Sequence, residues 1–193
     1  MKVVAILLAA GSATRFGADK LLHSLPHGVP IAVQSARHLK SALVEDVLAV
    51  VRPDSRELAD LLRKEGCEIV RCERAAEGMG ASLACGVAAA GKACAFIVAL
   101  ADMPFIRASS IAAVRDELLK GAALAAPYFR ARRGHPVGIS SRFGDELARL
   151  QGDEGAKLLL TVHASEIVKV PVGDPAVLRD IDTPGDLAPP LVV

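Results

Sequence analysis

The residues best suited to chemistry lie between positions 6 and 20, where an apolar run gives way to small residues and two cations. The run closes at Gly11, and Arg15 and Lys20 then bracket a second glycine, Gly17. Small residues let backbone N–H groups approach phosphate oxygens closely, and cations neutralise the charge that remains. The segment therefore predicts a loop that binds a polyphosphate.

The spacing of this loop differs from that of the two commonest phosphate-binding loops. It lacks the order G-x-x-x-x-G-K-[ST], and Ala13 stands where G-x-G-x-x-G requires its second glycine. The loop therefore indicates a different family of nucleotide-binding proteins.

Aspartates elsewhere in the sequence could bind a divalent cation beside such a loop. Asp102 follows an apolar run over 94–101, and Asp180 and Asp182 follow the last predicted strand. Mg²⁺ takes one or two protein carboxylates together with phosphate oxygens. The alternatives are that Asp102 caps a helix or forms a turn, and that Asp182 belongs to a capped turn.

The elements that must position these residues alternate between strands and helices. This alternation predicts right-handed crossovers and a doubly wound, mostly parallel α/β sheet between two layers of helices. In such a Rossmann-like sheet, ligands bind at the carboxyl ends of the strands. The predicted strands cover 3–10, 46–51, 68–72, 94–101, 123–128 and 167–172, the predicted helices cover 30–40, 54–65, 79–90, 109–121, 142–150 and 154–163, and a basic loop covers 129–140.

The composition indicates which classes of partner the protein is not expected to bind. The chain has 193 residues, with 52% hydrophobic but 3% aromatic side chains, which is typical of buried parallel strands packed on helices. The 23 basic residues nearly balance the 22 acidic ones and form no block, so a nucleic-acid surface is not expected. No apolar stretch reaches the length of a membrane span, and the first residues imitate a signal peptide only loosely, so we expect a cytoplasmic protein.

Four cysteines fall singly in apolar segments, with no C-x-x-C pair. Disulfide or metal roles are alternatives, but the pattern favours buried thiols in a reducing cytosol. They are Cys67, Cys72, Cys85 and Cys94.

Six motifs, taken in order, resemble the MobA-like nucleotidyltransferase superfamily, and within it most closely the molybdenum cofactor cytidylyltransferases. The resemblance spans essentially the whole chain and implies one nucleotidyltransferase domain over residues 1–193. The motifs are Leu8-Ala-Ala-Gly-x-x-x-Arg15-x-Gly17-x-x-Lys20, Gly78-Met-x-x-Ser82-Leu83, Leu100-Ala-Asp-Met-Pro104, Gly134-His-Pro-Val137, Gly152-Asp-x-Gly-Ala156 and Asp180-Ile-Asp-Thr-Pro-x-Asp-Leu187.

The resemblance also implies roles for individual residues. Arg15 and Lys20 would hold the β- and γ-phosphates of CTP, and Asp102 would hold Mg²⁺ with Asp182 or Asp180. These make Arg15, Lys20 and Asp102 the catalytic set. The nucleotide would further contact Leu8, Ala9, Ala10, Gly11, Gly78, Met79 and Ser82, and the pterin phosphate would contact His135, Pro136, Gly152, Asp153 and Gly155.

The implied reaction is an in-line attack by the terminal phosphate of molybdopterin on the α-phosphorus of CTP, with release of pyrophosphate. The nucleophile is already an anion, so charge neutralisation and positioning matter more than a general base. His135 would then donate or accept a hydrogen bond in the pocket and take no part in proton transfer.

Several alternatives stay open at this point. The methyl group of Ala10 would crowd a purine, which favours a pyrimidine, but GTP remains an alternative. The acceptor could instead be a sugar phosphate or a phosphoalcohol. A third alternative is a delivery chaperone that carries molybdenum cofactor to a molybdenum hydroxylase. Ala13 removes a loop glycine seen in many relatives, and Mn²⁺ is an alternative to Mg²⁺.

Overall fold

A computed structural model describes residues 2–11, 20–42, 46–153 and 155–188. Arg15 and Gly17 lie outside these residues. Across the described ranges, eight strands form one sheet in the order β3-β2-β1-β4-β7-β5-β6, with β8 paired to β5. The strands are β1 (Val3–Leu8), β2 (Val47–Val51), β3 (Glu68–Arg71), β4 (Ala95–Leu100), β5 (Leu124–Phe129), β6 (Arg132–Arg133), β7 (Val137–Ser140) and β8 (Ile167–Pro171).

Helices connect most of these strands. None in the described ranges is long and apolar enough to cross a membrane. The α-helices are α1 (Ile31–Ala42), α2 (Arg56–Lys64), α3 (Met79–Ala89), α4 (Ala108–Leu119), α5 (Gly144–Ala148) and α6 (Lys157–Val162), and short 3₁₀ helices cover Lys20–Leu22, Ala75–Glu77, Ser141–Phe143, Ala164–Glu166, Pro175–Leu178 and Pro184–Leu187.

The sheet is mixed but mostly parallel, as predicted. β1 pairs in parallel with both β2 and β4, and β2 pairs in parallel with β3. The chain therefore leaves β1 toward one side of the sheet and returns through β4 on the other side. Such a reversal of strand order opens a crevice at the carboxyl ends of the two strands.

Alternate residues of β1 build the two halves of the core. Val3, Ala5 and Leu7 pack with α1, α2 and α4, whereas Ile6 and Leu8 pack with α3, α5 and α6. Because successive side chains of a strand point to opposite faces, this confirms the three-layer arrangement.

The predicted loop over 129–140 is wrong, because it contains two strands. β7 runs antiparallel between β4 and β5, and β6 pairs with β5. The strand β7 was not predicted because it contains Gly138, and glycine is uncommon inside strands. A Cβ atom at Gly138 would lie 2.9 Å from Leu118 and 3.0 Å from Val114, so close packing of α4 on β7 requires the glycine.

The predicted helix over 109–121 corresponds to α4, which starts one residue earlier. The helix begins at Ala108, and the backbone N–H of Arg107 donates to Oδ2 of Asp174 at 2.9 Å. The Ser110 hydroxyl donates to the same oxygen at 2.8 Å. A distant carboxylate therefore caps the helix, which local sequence does not reveal.

The cysteines correct the prediction of four buried thiols. Cys72, just after β3, is bonded to Cys85 of α3, with their Cα atoms 5.9 Å apart. Cys67 is free and buried, and its burial raises the pKa of the thiol to about 11. Cys94 is free and exposed. The pair is separated by 13 residues and joins two elements, so sequence spacing alone did not indicate it.

Candidate active site

A cleft of about 550 Å³ opens at the carboxyl ends of β1, β2 and β4. It brings together nine of the residues predicted to bind substrate, nucleotide or metal. The cleft is lined by Leu8, Ala10, Gly11, Lys20, Leu21, Arg52, Ala75, Ala76, Gly78, Met79, Ser82, Leu100, Asp102 and Asp153.

Lys20 and two aspartates form an ionic cluster at one side of this cleft. The Lys20 ammonium donates to Oδ2 of Asp102 at 2.9 Å and lies 3.5 Å from Oδ1 of Asp182. The Lys20 side chain is 13% exposed, and that of Asp182 is 52% exposed. The ammonium is therefore held at the wall between two carboxylates.

Burial and charge act in opposite directions on this cluster. Burial raises the pKa of the Asp102 carboxyl, and the Lys20 ammonium offsets part of that effect. For Lys20, burial disfavours the charged form, but the hydrogen bonds and charges of Asp102 and Asp182 outweigh it and raise the pKa of the ammonium. Lys20 is thus a cation at neutral pH, and its charge stabilises the ionised form of Asp102 against the effect of burial.

One oxygen of Asp102 has no protein partner among the described residues. Oδ2 accepts from Lys20, whereas Oδ1 is buried without a hydrogen bond. A buried acceptor without a partner is costly, and a carboxylate oxygen is a ligand that Mg²⁺ and Mn²⁺ accept. The donor set therefore fits a divalent cation held at Oδ1.

The protein would supply few of the ligands of such a cation. Over the ranges that the structure describes, no group of three or more His, Cys, Asp or Glu side chains could hold a metal ion. Mg²⁺ commonly keeps water and takes phosphate oxygens beside one or two carboxylates. The site thus suits a cation that arrives with a phosphate-bearing substrate.

The segment 180–182 is anchored to the end of β4. The backbone N–H of Ile181 donates to the carbonyl of Asp102 at 2.9 Å, and the Ile181 side chain is buried. Asp182 pairs with Lys20 but is not among the residues that line the cleft, whereas Asp180 affects Asp102 and His135 through its charge. The geometry favours Asp182 over Asp180 as the partner of Asp102.

Some predicted residues lie outside the cleft lining. Ala9 is buried on the opposite face of the sheet, and Pro136 lines a separate cavity of about 10 Å³. His135 precedes Pro136 through a cis peptide bond, and its backbone N–H donates to the Val177 carbonyl at 2.8 Å. Burial lowers the pKa of the His135 imidazole, whose Nδ1 is buried without a described partner.

Register places His135 near the ionic cluster all the same. Val137 of β7 pairs with Val98 of β4 in antiparallel register. The residues before Val137 therefore lie alongside those after Val98, at the edge of the sheet that carries Asp102.

Residues 151–153 and Gly155 lie against the start of α3, beside the cleft. The backbone N–H of Gly80 donates to the Gly152 carbonyl at 2.7 Å, and Gly155 lies against the Met79 side chain. Asp153 lines the cleft, although Gly152 and Gly155 do not. Of the three residues predicted here, one therefore faces the space shared with Lys20 and Asp102.

A family match accompanies this geometry. Residues 5–167 match the model of the MobA-like NTP transferase domain. The chain belongs to this family. Two curated proteins that the chain resembles carry different names.

The first relative is the bifunctional protein GlmU of Bradyrhizobium diazoefficiens, which is 34% identical over 165 residues. That match covers 78% of this chain but 35% of GlmU, so the chain spans about a third of that protein. The second is the nicotine blue oxidoreductase of Paenarthrobacter nicotinovorans, 27% identical over 94% of this chain and 92% of the relative.

Solved structures show the same fold at lower identity. Rv0371c from Mycobacterium tuberculosis H37Rv aligns with a TM-score of 0.81 and 23% identity, over 96% of this chain and 94% of that one. A manganese complex of Rv0371c aligns with a TM-score of 0.79 at 20% identity, over 96% of each chain. CMP:2-keto-3-deoxy-manno-octonic acid synthetase complexed with CTP aligns with a TM-score of 0.71 at 14% identity, over 96% of this chain and 95% of that one.

Sequence reasoning missed several residues of this MobA-like cleft. Arg52 follows β2 directly and lies 3.4 Å from Asp54, and it adds a second described cation to the lining. The rule that ligands bind at carboxyl ends of strands could have identified it, because β2 ends at Val51. Nothing in the sequence distinguishes Ala75 and Ala76 as lining residues, because small apolar residues occur in many short turns.

Proposed function

We propose that the chain is a metal-dependent nucleotidyltransferase that moves CMP from CTP to the terminal phosphate of molybdopterin and releases pyrophosphate. The observation that carries this proposal is the pairing of Lys20 with Asp102 in the cleft, while Oδ1 of Asp102 stays buried and unpartnered among the described residues. A cation and a buried carboxylate at the carboxyl ends of β1 and β4 are what a polyphosphate and its divalent cation need.

The cleft offers both charged and apolar groups to a nucleotide. Lys20 and Arg52 are the cations among the described lining residues, and each suits a phosphate. Ala10, Ala75 and Met79 make an apolar surface that suits the base, and Met79 is 43% exposed. Arg15, which lies between Gly11 and Lys20 in the sequence, would add a further positive charge beside the phosphates.

Charge neutralisation is the main task of the protein in this reaction. Two anions must meet, and the ammonium of Lys20 lowers their repulsion and holds the departing pyrophosphate. Asp102, together with Asp182, would hold Mg²⁺ or Mn²⁺, which supplies positive charge to the reacting phosphates when bound. The manganese complex of Rv0371c supports a divalent cation in this fold.

The proposed base of the nucleotide rests on the residues that line the cleft. Ala10 is 6% exposed and lines the cleft beside Gly11, so its methyl group takes space that a purine would need. The CTP complex of a protein with the same fold supports a cytidine nucleotide. GTP in place of CTP is the alternative.

The acceptor is proposed from the sequence resemblance. The register of β7 brings His135 beside the end of β4, where Asp102 lies, whereas Pro136, Gly152 and Gly155 lie outside the cleft lining. A sugar phosphate or phosphoalcohol is the alternative acceptor. We propose one domain over 1–193, a cytoplasmic enzyme and, as a further hypothesis, transfer of its product to a molybdenum hydroxylase.

A relative named an oxidoreductase makes a second candidate worth testing. The nicotine blue oxidoreductase match spans nearly the full length of both chains. The Lys20–Asp102–Asp182 cluster favours nucleotidyl transfer instead, because two carboxylates around a fixed ammonium suit phosphates and a divalent cation.

A substrate matrix tests the proposal. The protein is incubated with Mg²⁺ or Mn²⁺, each of the four NTPs, and either molybdopterin, a sugar phosphate or no acceptor, and pyrophosphate is measured. Release that requires CTP and molybdopterin is expected. Release with GTP but not CTP would overturn the base assignment, and release with a sugar phosphate alone would overturn the acceptor. No release under any condition would exclude nucleotidyl transfer.

A further inference from the structure

Two glycines near the start of α3 are packed against the loop over 151–153. A Cβ atom at Gly78 would lie 2.3 Å from Oδ1 of Asp153, and one at Gly80 would lie 2.6 Å from the Gln151 carbonyl. Real Cβ atoms do not approach other atoms so closely. Because the loop occupies the space that a side chain would need, both positions require glycine. Gly78 also has φ +125°, which favours glycine.

This packing sets the position of the Asp153 carboxylate. Backbone atoms of Gly152 lie 2.5 Å from the same Cβ position at Gly78, and the Gly80 N–H donates to the Gly152 carbonyl. The loop that carries the carboxylate is therefore held against Gly78 and Gly80 by main-chain contacts. Asp153 makes no hydrogen bond or ion pair with another described residue that would occupy its oxygens.

The charges of the cleft decide which part of a nucleotide can lie beside Asp153. A carboxylate repels phosphates, whereas the same lining contains Lys20 and Arg52, which attract them. The start of α3 is also a poor phosphate site, since the Gly80 N–H already donates to a carbonyl. The nucleoside part is thus the part that fits beside Asp153.

We propose that the Asp153 carboxylate recognises the ribose of the bound nucleotide by accepting hydrogen bonds from its 2′- and 3′-hydroxyls. An ionised carboxylate is an acceptor only, and these hydroxyls are donors that every NTP carries. Ser82 and Met79, which line the cleft close by in sequence to Gly78, then lie along the nucleoside. This inference rests on the proposed function and moves Asp153 from the pterin side of the site to the nucleotide side.

The test compares CTP with 2′,3′-dideoxy-CTP by calorimetric titration of the full chain in the presence of Mg²⁺. The wild-type protein should bind CTP about tenfold or more tightly, as expected for hydrogen bonds to a charged group. Asp153→Ala should bring the ratio close to one by weakening CTP alone. Asp153→Asn, which keeps the size of the side chain, should give an intermediate ratio and unchanged thermal unfolding.

Lys20→Met is the matched comparison, because it should weaken both nucleotides while keeping their ratio. Normal CTP binding with an unchanged ratio in Asp153→Ala would overturn the inference and leave the proposed function intact. A change in the ratio of CTP to UTP, with the ribose ratio unchanged, would mean that Asp153 contacts the base, and would also overturn it. No nucleotide binding by the wild-type protein would remove the proposed function and this inference together.

Discussion

The ammonium of Lys20 lies 2.9 Å from a carboxylate oxygen of Asp102, although 82 residues separate them in the sequence. They meet because β1 and β4 are parallel neighbours, and both residues come after the carboxyl ends of these strands. The pair fixes a cation and a buried carboxylate at the point where the strand order reverses.

Replacing Lys20 by Met should reduce pyrophosphate release by about 10²-fold or more, the usual effect of losing one group that stabilises transition-state charge. The substitution removes the cation that offsets the burial of Asp102, so the pKa of that carboxyl should rise further. Steady-state kinetics of pyrophosphate release measure the loss. Lys92→Met, at an exposed position, is the control and should retain full activity.

The cysteines should differ sharply in reactivity. At pH 8 an alkylating reagent should label exposed Cys94, whereas Cys67, with a pKa of about 11, should remain unlabelled in the folded protein. Cys72 and Cys85 should react only after reduction. Mass spectrometry of the peptides distinguishes these cases, and labelling of Cys72 without reductant would contradict the disulfide.

The same disulfide should stabilise the wall of the cleft. It closes a loop that contains Ala75, Gly78 and Ser82. Reduction should therefore lower the free energy of unfolding by about 2–4 kcal/mol, a usual range for such a bond. Urea unfolding with and without reductant measures this, with Cys67→Ser treated in the same way to correct for effects of the free thiol.

The helix α3 should tolerate no side chain at Gly86. A Cβ atom there would lie 2.5 Å from Cγ2 of Ile6 and 3.0 Å from Val50. Gly86→Ala should cost about 1–3 kcal/mol because the helix must move away from the sheet. Gly144→Ala is the matched control, since no atom lies within 4 Å of its Cβ position and its φ is −56°. Equal unfolding free energies for the two variants would contradict the packing.

His38 should make stability fall in mild acid. Burial lowers the pKa of its imidazole, although a backbone hydrogen bond and the charge of Asp174 partly oppose this. Below about pH 6.5 the His38 imidazole is protonated in the unfolded chain but not yet in the folded protein. The free energy of unfolding therefore falls as the pH decreases, until the pH reaches the lower pKa that His38 has in the folded protein. His38→Gln should reduce the change of the unfolding free energy between pH 7.5 and 5. An unchanged pH dependence would show that other groups cause it.

The sequence was informative where the signal is local. The apolar runs before Gly11 and Asp102 predicted the two strands correctly, and the rule on carboxyl ends placed Lys20 and Asp102 at one edge. Prediction failed where a residue serves a distant partner. Gly138 is explained by the packing of α4, and Gly78 is explained by the loop that carries Asp153.

Asp102→Asn, compared with Asp60→Asn at an exposed position of α2, gives the most direct test of the central claim. Asn preserves the shape of the side chain but removes the charge that would hold the divalent cation beside Lys20. With CTP, Mg²⁺ and molybdopterin, the account predicts that Asp102→Asn loses about 10³-fold or more of the pyrophosphate release while Asp60→Asn matches the wild-type protein. Wild-type rates in Asp102→Asn would contradict the claim that this carboxylate is the centre of the active site.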